Sequence, residues 1–207
     1  MRSAFRAALE GFVALAGAVP VGHLDEPALG AWSVRELIGH ASRAITTIED
    51  NLGRRSDGPD VPTPAAYYRV VGASPRGSDA RRQRDESIAT RARASAAALG
   101  GDPGATLAEM AHRVATVVDG SDDATPVATA AGQMTLITYL PTRTFELVVH
   151  GLDLAGALDL PVPAVLRPAI AESTVLAGEI AGGLPEAPDV LLALCGRRNL
   201  PDAFSVV

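Results

Sequence analysis

Lysine is absent, and all 18 basic residues are arginines. With the abundance of alanine and glycine, we attribute this to the codon usage of a GC-rich genome rather than to mechanism. Cysteine occurs once, at Cys195, so no internal disulfide can form. It follows the apolar run Leu191-Leu192-Ala193-Leu194 and is expected to be a small buried residue. Aromatic residues are only 4% of a chain that is 47% hydrophobic. Alanine, leucine and valine must therefore fill the core, which favours close-set helices over a β-sandwich. No run of about 18 apolar residues is present, so no membrane-spanning helix is expected. A basic stripe is missing too. Net charge is −6 and the arginines are dispersed, which argues against a nucleic-acid footprint. The tightest cluster, Arg81, Arg82 and Arg84, runs straight into Asp85 and Glu86 and is expected to be a solvated helix face.

At 207 residues the chain suits one large domain or one domain with an appendage. The N-terminal apolar stretch is interrupted by Arg6 and Glu10, while Phe5, Leu9, Phe12, Val13 and Ala16 repeat at helical spacing. This describes an amphipathic helix over 3–18 rather than a signal peptide, and a cytoplasmic protein is expected. A second helix is expected over 33–52, opened by an S-x-x-E capping box at Ser33 and Glu36. Residues 53–78 hold eight glycines and prolines, Pro75 among them, and read as a long loop. Tyr67 and Tyr68 could form a short helical turn within it. Further helices are expected over 79–99, 106–118, 134–158 and 163–181. Pro141 must kink the fifth of these six helices or restart it, and residues 121–132 read as a polar turn region. The end, 190–207, reads as a short helix, a turn over 196–201 including Pro201, and a terminal strand at 204–207. Many helices with so few strand signals indicate a mainly α helical bundle.

Within the fifth helix, Arg143, Glu146, His150 and Asp153 stand at i, i+3, i+7 and i+10. At about 100° per residue they form one narrow strip. Leu147 and Leu154 border it on one side, with Phe145, Val149 and Leu152 beyond it on the other. Ionisable groups placed between apolar flanks must be paired or bound to metal, because desolvation alone costs several kcal/mol. Glu146 and His150, one turn apart, suit two ligands of one ion. A third ligand is then needed. His23 lies in a connection, and His112 has only Glu109 as an acidic neighbour one turn away and is expected to have no role. His40, on a core-directed flank of the capped helix, is the remaining candidate. Two histidines and a glutamate would leave a coordination position open on zinc, and nickel, iron or manganese would also suit. On spacing alone a plain alternative stands beside this one. Glu146 would pair with Arg143, Asp153 would cap or pair locally, and His150 would be a satisfied core histidine.

The stretch Trp32-Ser33-Val34-Arg35-Glu36-Leu37-Ile38-Gly39-His40, followed by Arg143-x-x-Glu146-x-x-x-His150-x-x-Asp153-Leu154, resembles the mycothiol-dependent maleylpyruvate isomerase family. That family belongs to the DinB-like superfamily of metal-binding four-helix bundles. The resemblance runs over roughly 1–160, and the tail Ala193-Leu194-Cys195-Gly196-Arg197 with Leu200-Pro201 is similar to the family's ending. It implies a DinB-like four-helix bundle over 1–160, with an additional C-terminal helix and short tail over 161–207. It implies His40, Glu146 and His150 as ligands of a divalent metal, Zn²⁺ in the first place and Ni²⁺ as an alternative. Mycothiol, a low-molecular-weight thiol, would be the cosubstrate. The expected reaction is a thiol-dependent isomerisation or transfer on an electrophilic small molecule. Arg143 could orient Glu146 or meet an acidic substrate, and Asp153 could accept the second ring N–H of His150. Larger members carry a C-terminal α/β domain that helps to enclose the substrate, so the thiol-and-metal half of the chemistry carries over best here. A metal-dependent hydrolase and a non-catalytic metal-binding bundle remain alternatives, as does a homodimer.

Overall fold

The spacing of apolar residues near the N-terminus becomes helix α1, Arg2–Gly17, which buries Phe5, Leu9, Phe12 and Leu15. In the computed structural model, which describes residues 1–73, 77–200 and 204–207, a short hairpin follows. Its strands are β1, Pro27–Leu29, and β2, Trp32–Ser33. Trp32 thus lies on a strand and not in the helix that its neighbours open. Helix α2, Val34–Asn51, starts where the capping box requires. The Glu36 amide donates to the Ser33 hydroxyl, and the Ser33 amide donates to the Glu36 carboxylate. Two of the donors that a helix start leaves open are thereby satisfied. The expected long loop contains helix α3, Pro64–Val71, whose Thr63 cap receives the Ala66 amide. Pro75 and Pro201 lie outside the described residues.

Helix α4 covers Asp79–Ala98 and α5 covers Pro103–Asp119. The region expected to be turns forms a second antiparallel hairpin, β3, Pro126–Thr129, with β4, Gly132–Thr135. The helix carrying the polar strip then begins at Leu136, not 134. It is α6, Leu136–Ala157, and runs unbroken with Pro141 inside it. The last two helices are α7, Arg167–Ala181, and α8, Ala187–Leu194. Helices α1 and α2 each pack on both α5 and α6, closing a four-helix bundle. Phe5, Phe12, Leu37, Ile45, Leu107 and Leu147 are among its fully buried side chains. Helix α7 lies against α1, α3 and α6, and α4 covers the outer side of α2. Among the described residues no helix is long and apolar enough to cross a membrane.

Three expectations need correction. Cys195 is exposed, as are Leu191, Leu192 and Leu194, because α8 buries none of its residues against the bundle. Residues 204–207 form no strand; Val206 packs on the core and Val207 reaches the cavity described below. Of the arginine cluster, Arg82 is exposed, but Arg81 and Arg84 are half-buried on the side of α4 that faces inward.

Helix α4 buries little apolar surface, so its seat on α2 depends on a close backbone approach at Gly39. A Cβ at that position would lie 2.5 Å from the Ala96 amide nitrogen. The expected outcome for Gly39→Ala is a loss of about 1–3 kcal/mol, since backbone rather than a flexible side chain must give way. Urea denaturation of the two proteins measures it.

Candidate metal centre

Helix α6 directs Tyr139, Arg143, Glu146 and His150 to one side, and helix α2 faces them with His40 and Arg43. Helix α3 closes a third side with Tyr67 and Tyr68. The His40 and His150 rings meet edge-on with centroids 4.8 Å apart, and Trp32 lies 4.6 Å from His40 on its other side. One donor atom from each of His40, Glu146 and His150 lies within 4.8 Å of the other two. That is wider than the roughly 3.4 Å between neighbouring ligands of a tetrahedral ion at about 2.1 Å, so side-chain torsions would have to draw the donors together around an ion. The other two histidines stay apart. His112 is exposed, and His23 is exposed with Nδ1 3.1 Å from Glu26.

Two members of the cluster, Glu146 and His150, are held from behind. Tyr68 donates its hydroxyl to Glu146 Oε1 at 2.8 Å, with the Thr142 carbonyl also in range at 3.1 Å. Oε2 is left facing His150 Nε2 at 3.5 Å. On its far side, His150 Nδ1 lies 3.1 Å from Asp153 Oδ2. His40 Nδ1 is buried with no hydrogen-bond partner. Buried polar atoms are normally satisfied, so an imidazole nitrogen with no partner, on a residue grouped with a carboxylate and a second imidazole, fits a metal-ligand position. Two nitrogens and an oxygen fit zinc, nickel, iron or manganese.

Protonation follows from these contacts. Burial, and then the charge of His150, push His40 down to about 4, so it is neutral and able to donate a lone pair. Burial alone would lower His150 too. Its contacts with Asp153 and Glu146 outweigh that and raise it to about 9. Burial would raise Glu146, but the hydrogen bond from His150 and the Arg143 charge hold it well below the usual carboxylate range. In the chain without metal, Glu146 and His150 are therefore an ion pair.

Arg143 does not make the ion pair with Glu146 that the plain alternative requires. Among the described residues no carboxylate lies within salt-bridge distance of its guanidinium. Instead Nε donates to Thr142 Oγ1 at 3.0 Å and Nη2 to the Tyr67 hydroxyl at 3.2 Å. The guanidinium carbon lies 4.8 Å from the Tyr139 ring centre and 5.4 Å from that of Tyr67. The cluster opens into a cavity of about 1050 Å³, bounded also by α4 and the β3–β4 hairpin. Tyr67, Tyr68, Tyr139 and Trp32 went unassigned from the sequence. One signal was there. The chain has only three tyrosines, and Tyr139 falls four residues before Arg143, in the same helical strip.

Two outcomes follow for metal binding. Tyr68→Phe frees Glu146 Oε1 and should weaken affinity about 10–100-fold while leaving the fold intact, as read by zinc competition titration and circular dichroism. Affinity should also rise with pH. Below about 9 the His150 proton must leave before the nitrogen can ligate, so each lower pH unit costs about tenfold until His40 also protonates. Titrations at several pH values measure the slope, which should flatten above the His150 value.

The family model for the mycothiol maleylpyruvate isomerase N-terminal domain matches residues 5–155. No curated protein and no solved structure matches the chain. The matched span contains the whole cluster and nearly all of the bundle that positions it. A match over that much of its length means that the chain belongs to the mycothiol maleylpyruvate isomerase N-terminal domain family.

Proposed function

We propose that the protein is a divalent-metal-dependent, mycothiol-dependent transferase or isomerase acting on an electrophilic small molecule. His40, Glu146 and His150 would hold the ion, zinc by preference and nickel as the alternative. When bound, it would supply Lewis acidity and lower the pKa of a thiol from its usual value of about 8.5. The observation that carries this reading is the placement of donor atoms from His40, Glu146 and His150 within 4.8 Å of one another at the wall of an open cavity. A purely structural ion would be expected in a closed shell, more often with thiolates, and Cys195 is exposed on another part of the chain.

The chain's own groups divide the work. Asp153 takes the Nδ1–H of neutral His150, which turns the Nε2 lone pair towards Glu146. Tyr68 fixes Glu146 so that one oxygen faces the cluster. Arg143 presents its guanidinium to the cavity and would contact the electrophile. Residues 1–160 form the metal-binding unit in this reading, with 161–207 packed on it as a C-terminal helix and tail. A cytoplasmic location belongs to the same reading.

Protein purified without an affinity tag should carry about one divalent ion per chain, and His40→Ala and His150→Ala should each lose it. In cobalt-substituted protein, mycothiol should produce thiolate-to-cobalt charge-transfer absorption, and Cys195→Ser should leave that signal intact. Full metal occupancy in both alanine variants would show the ligands to be misassigned. A spectrum unmoved by millimolar thiol, with ester hydrolysis in its absence, would make the protein a hydrolase. No thiol effect and no turnover would make it a binding protein.

A further inference from the structure

The chain as a whole carries a net charge of −6, yet its cavity has the opposite balance. Among the described residues, the side chains of Arg43, Arg81, Arg84, Arg91 and Arg143 line it against those of Asp85 and Glu146, and Val207 lines it as well. Arg81 and Arg84 lie near Asp85. Among the described residues Arg43 and Arg143 have no carboxylate at salt-bridge distance, and both are close enough to His40 to act on its charge. Arg143 is the more telling of the two because it is 94% buried. A guanidinium taken out of water is costly unless something answers its charge. The faces of Tyr67 and Tyr139 answer part of it. Of its five N–H donors, the Nε–H and one on Nη2 have protein partners. Nη1 has none among the described residues.

Tyr67 completes the arrangement. Its hydroxyl accepts from Arg143 Nη2, and its own O–H donates to no described group. Burial keeps the phenol protonated. Both Nη1–H groups, the second Nη2–H and the Tyr67 O–H are thus unspent donors at a cavity wall that also holds the His40–Glu146–His150 cluster.

We propose that Arg143 and Tyr67 form a carboxylate-binding subsite, which anchors an acidic group of the molecule entering the cavity. The guanidinium is pre-set by its two tyrosine faces and by Thr142, so little rotamer freedom is lost when the anion arrives. A planar carboxylate suits a guanidinium edge and one adjacent hydroxyl. Arg43, on the turn of α2 after His40, adds to the positive field that draws an anion in. The bundle alone would thereby select for acids. This deepens the proposed function, resting on the cavity being where the electrophile binds, but it does not need the metal.

The test uses benzoate and benzamide, which share a shape and differ in charge, on the full chain after chelator treatment. Isothermal titration should show wild-type protein binding benzoate at least about tenfold more tightly than benzamide. Arg143→Met should bring the two within about twofold, and Arg143→Lys should keep part of the preference because the charge stays and the fork is lost. Tyr67→Phe should reduce it less than Arg143→Met. If Arg143→Met does not fold, the Arg143 Nε–H resonance in wild-type protein decides. It is assigned by its loss in Arg143→Lys and must move with benzoate and not with benzamide. No charge preference without metal, a preference that Arg143→Met leaves unchanged, or an unmoved resonance would each overturn the subsite. Because every reading is on metal-free protein without thiol, failure of the thiol-dependent function leaves the subsite standing, and failure of the subsite leaves that function standing.

Discussion

A single buried negative charge, that of Glu146, governs the arrangement around it. A carboxylate half out of water persists only if donors and cations surround it. Tyr68 supplies a hydrogen bond, His150 a proton or a metal-competent nitrogen, and Arg143 a cation in the next turn of the same helix. Each of these in turn needs support. His150 has Asp153 behind it, and Arg143 has two tyrosine rings and a threonine hydroxyl. The chain of dependence spreads from one helix to α2, α3 and the first hairpin.

The bundle supplies the rigidity this requires. His40 on α2 and the Glu146 and His150 pair on α6 meet because the two helices pack on each other, α2 also on α5 and α6 also on α1, with residues such as Ile38, Ile45, Leu140 and Leu147 fully buried. Only the outer wall of the cavity is lightly held. Helix α4 buries just Ala92 and Ala96 of its own and rests on the flat surface that Gly39 provides. The molecule thus combines a firm floor carrying the donors with a polar, arginine-bearing wall on one side.

That contrast explains the electrostatics. Acidic residues predominate over the chain as a whole, while five of the 18 arginines line the interior opening. Helix α4 reads in sequence as a mixed-charge solvated helix, and Arg82 behaves that way. Arg81 and Arg84 turn inward because they are on the other face, where their stems cover apolar surface and their heads reach the cavity. A linear charge pattern has no means of saying which face of a polar helix will meet a cavity.

Much of the bundle was legible from residues alone. The capping box at Ser33 and Glu36 fixed the start of α2, and the 3.6-residue spacing of apolar positions marked α1, α5 and α6 to within a few residues. The strip from Arg143 to Asp153 was legible because helical geometry alone places those residues on one side. Local rules stop there. The β3–β4 hairpin escaped because its strands are four residues long and its turn, Ala130-Ala131, lacks the glycine or asparagine that marks a tight hairpin. Cys195 was expected inside because its neighbours are apolar, yet whether an apolar helix is covered depends on elements elsewhere in the chain, and no residue of α8 is buried. The tyrosines that hold Glu146 and Arg143 come from α3, more than seventy residues away in sequence. Periodicity constrains what a helix presents along its own length. Only packing between distant segments decides what stands opposite, and that is why the donors could be named from sequence while their surroundings could not.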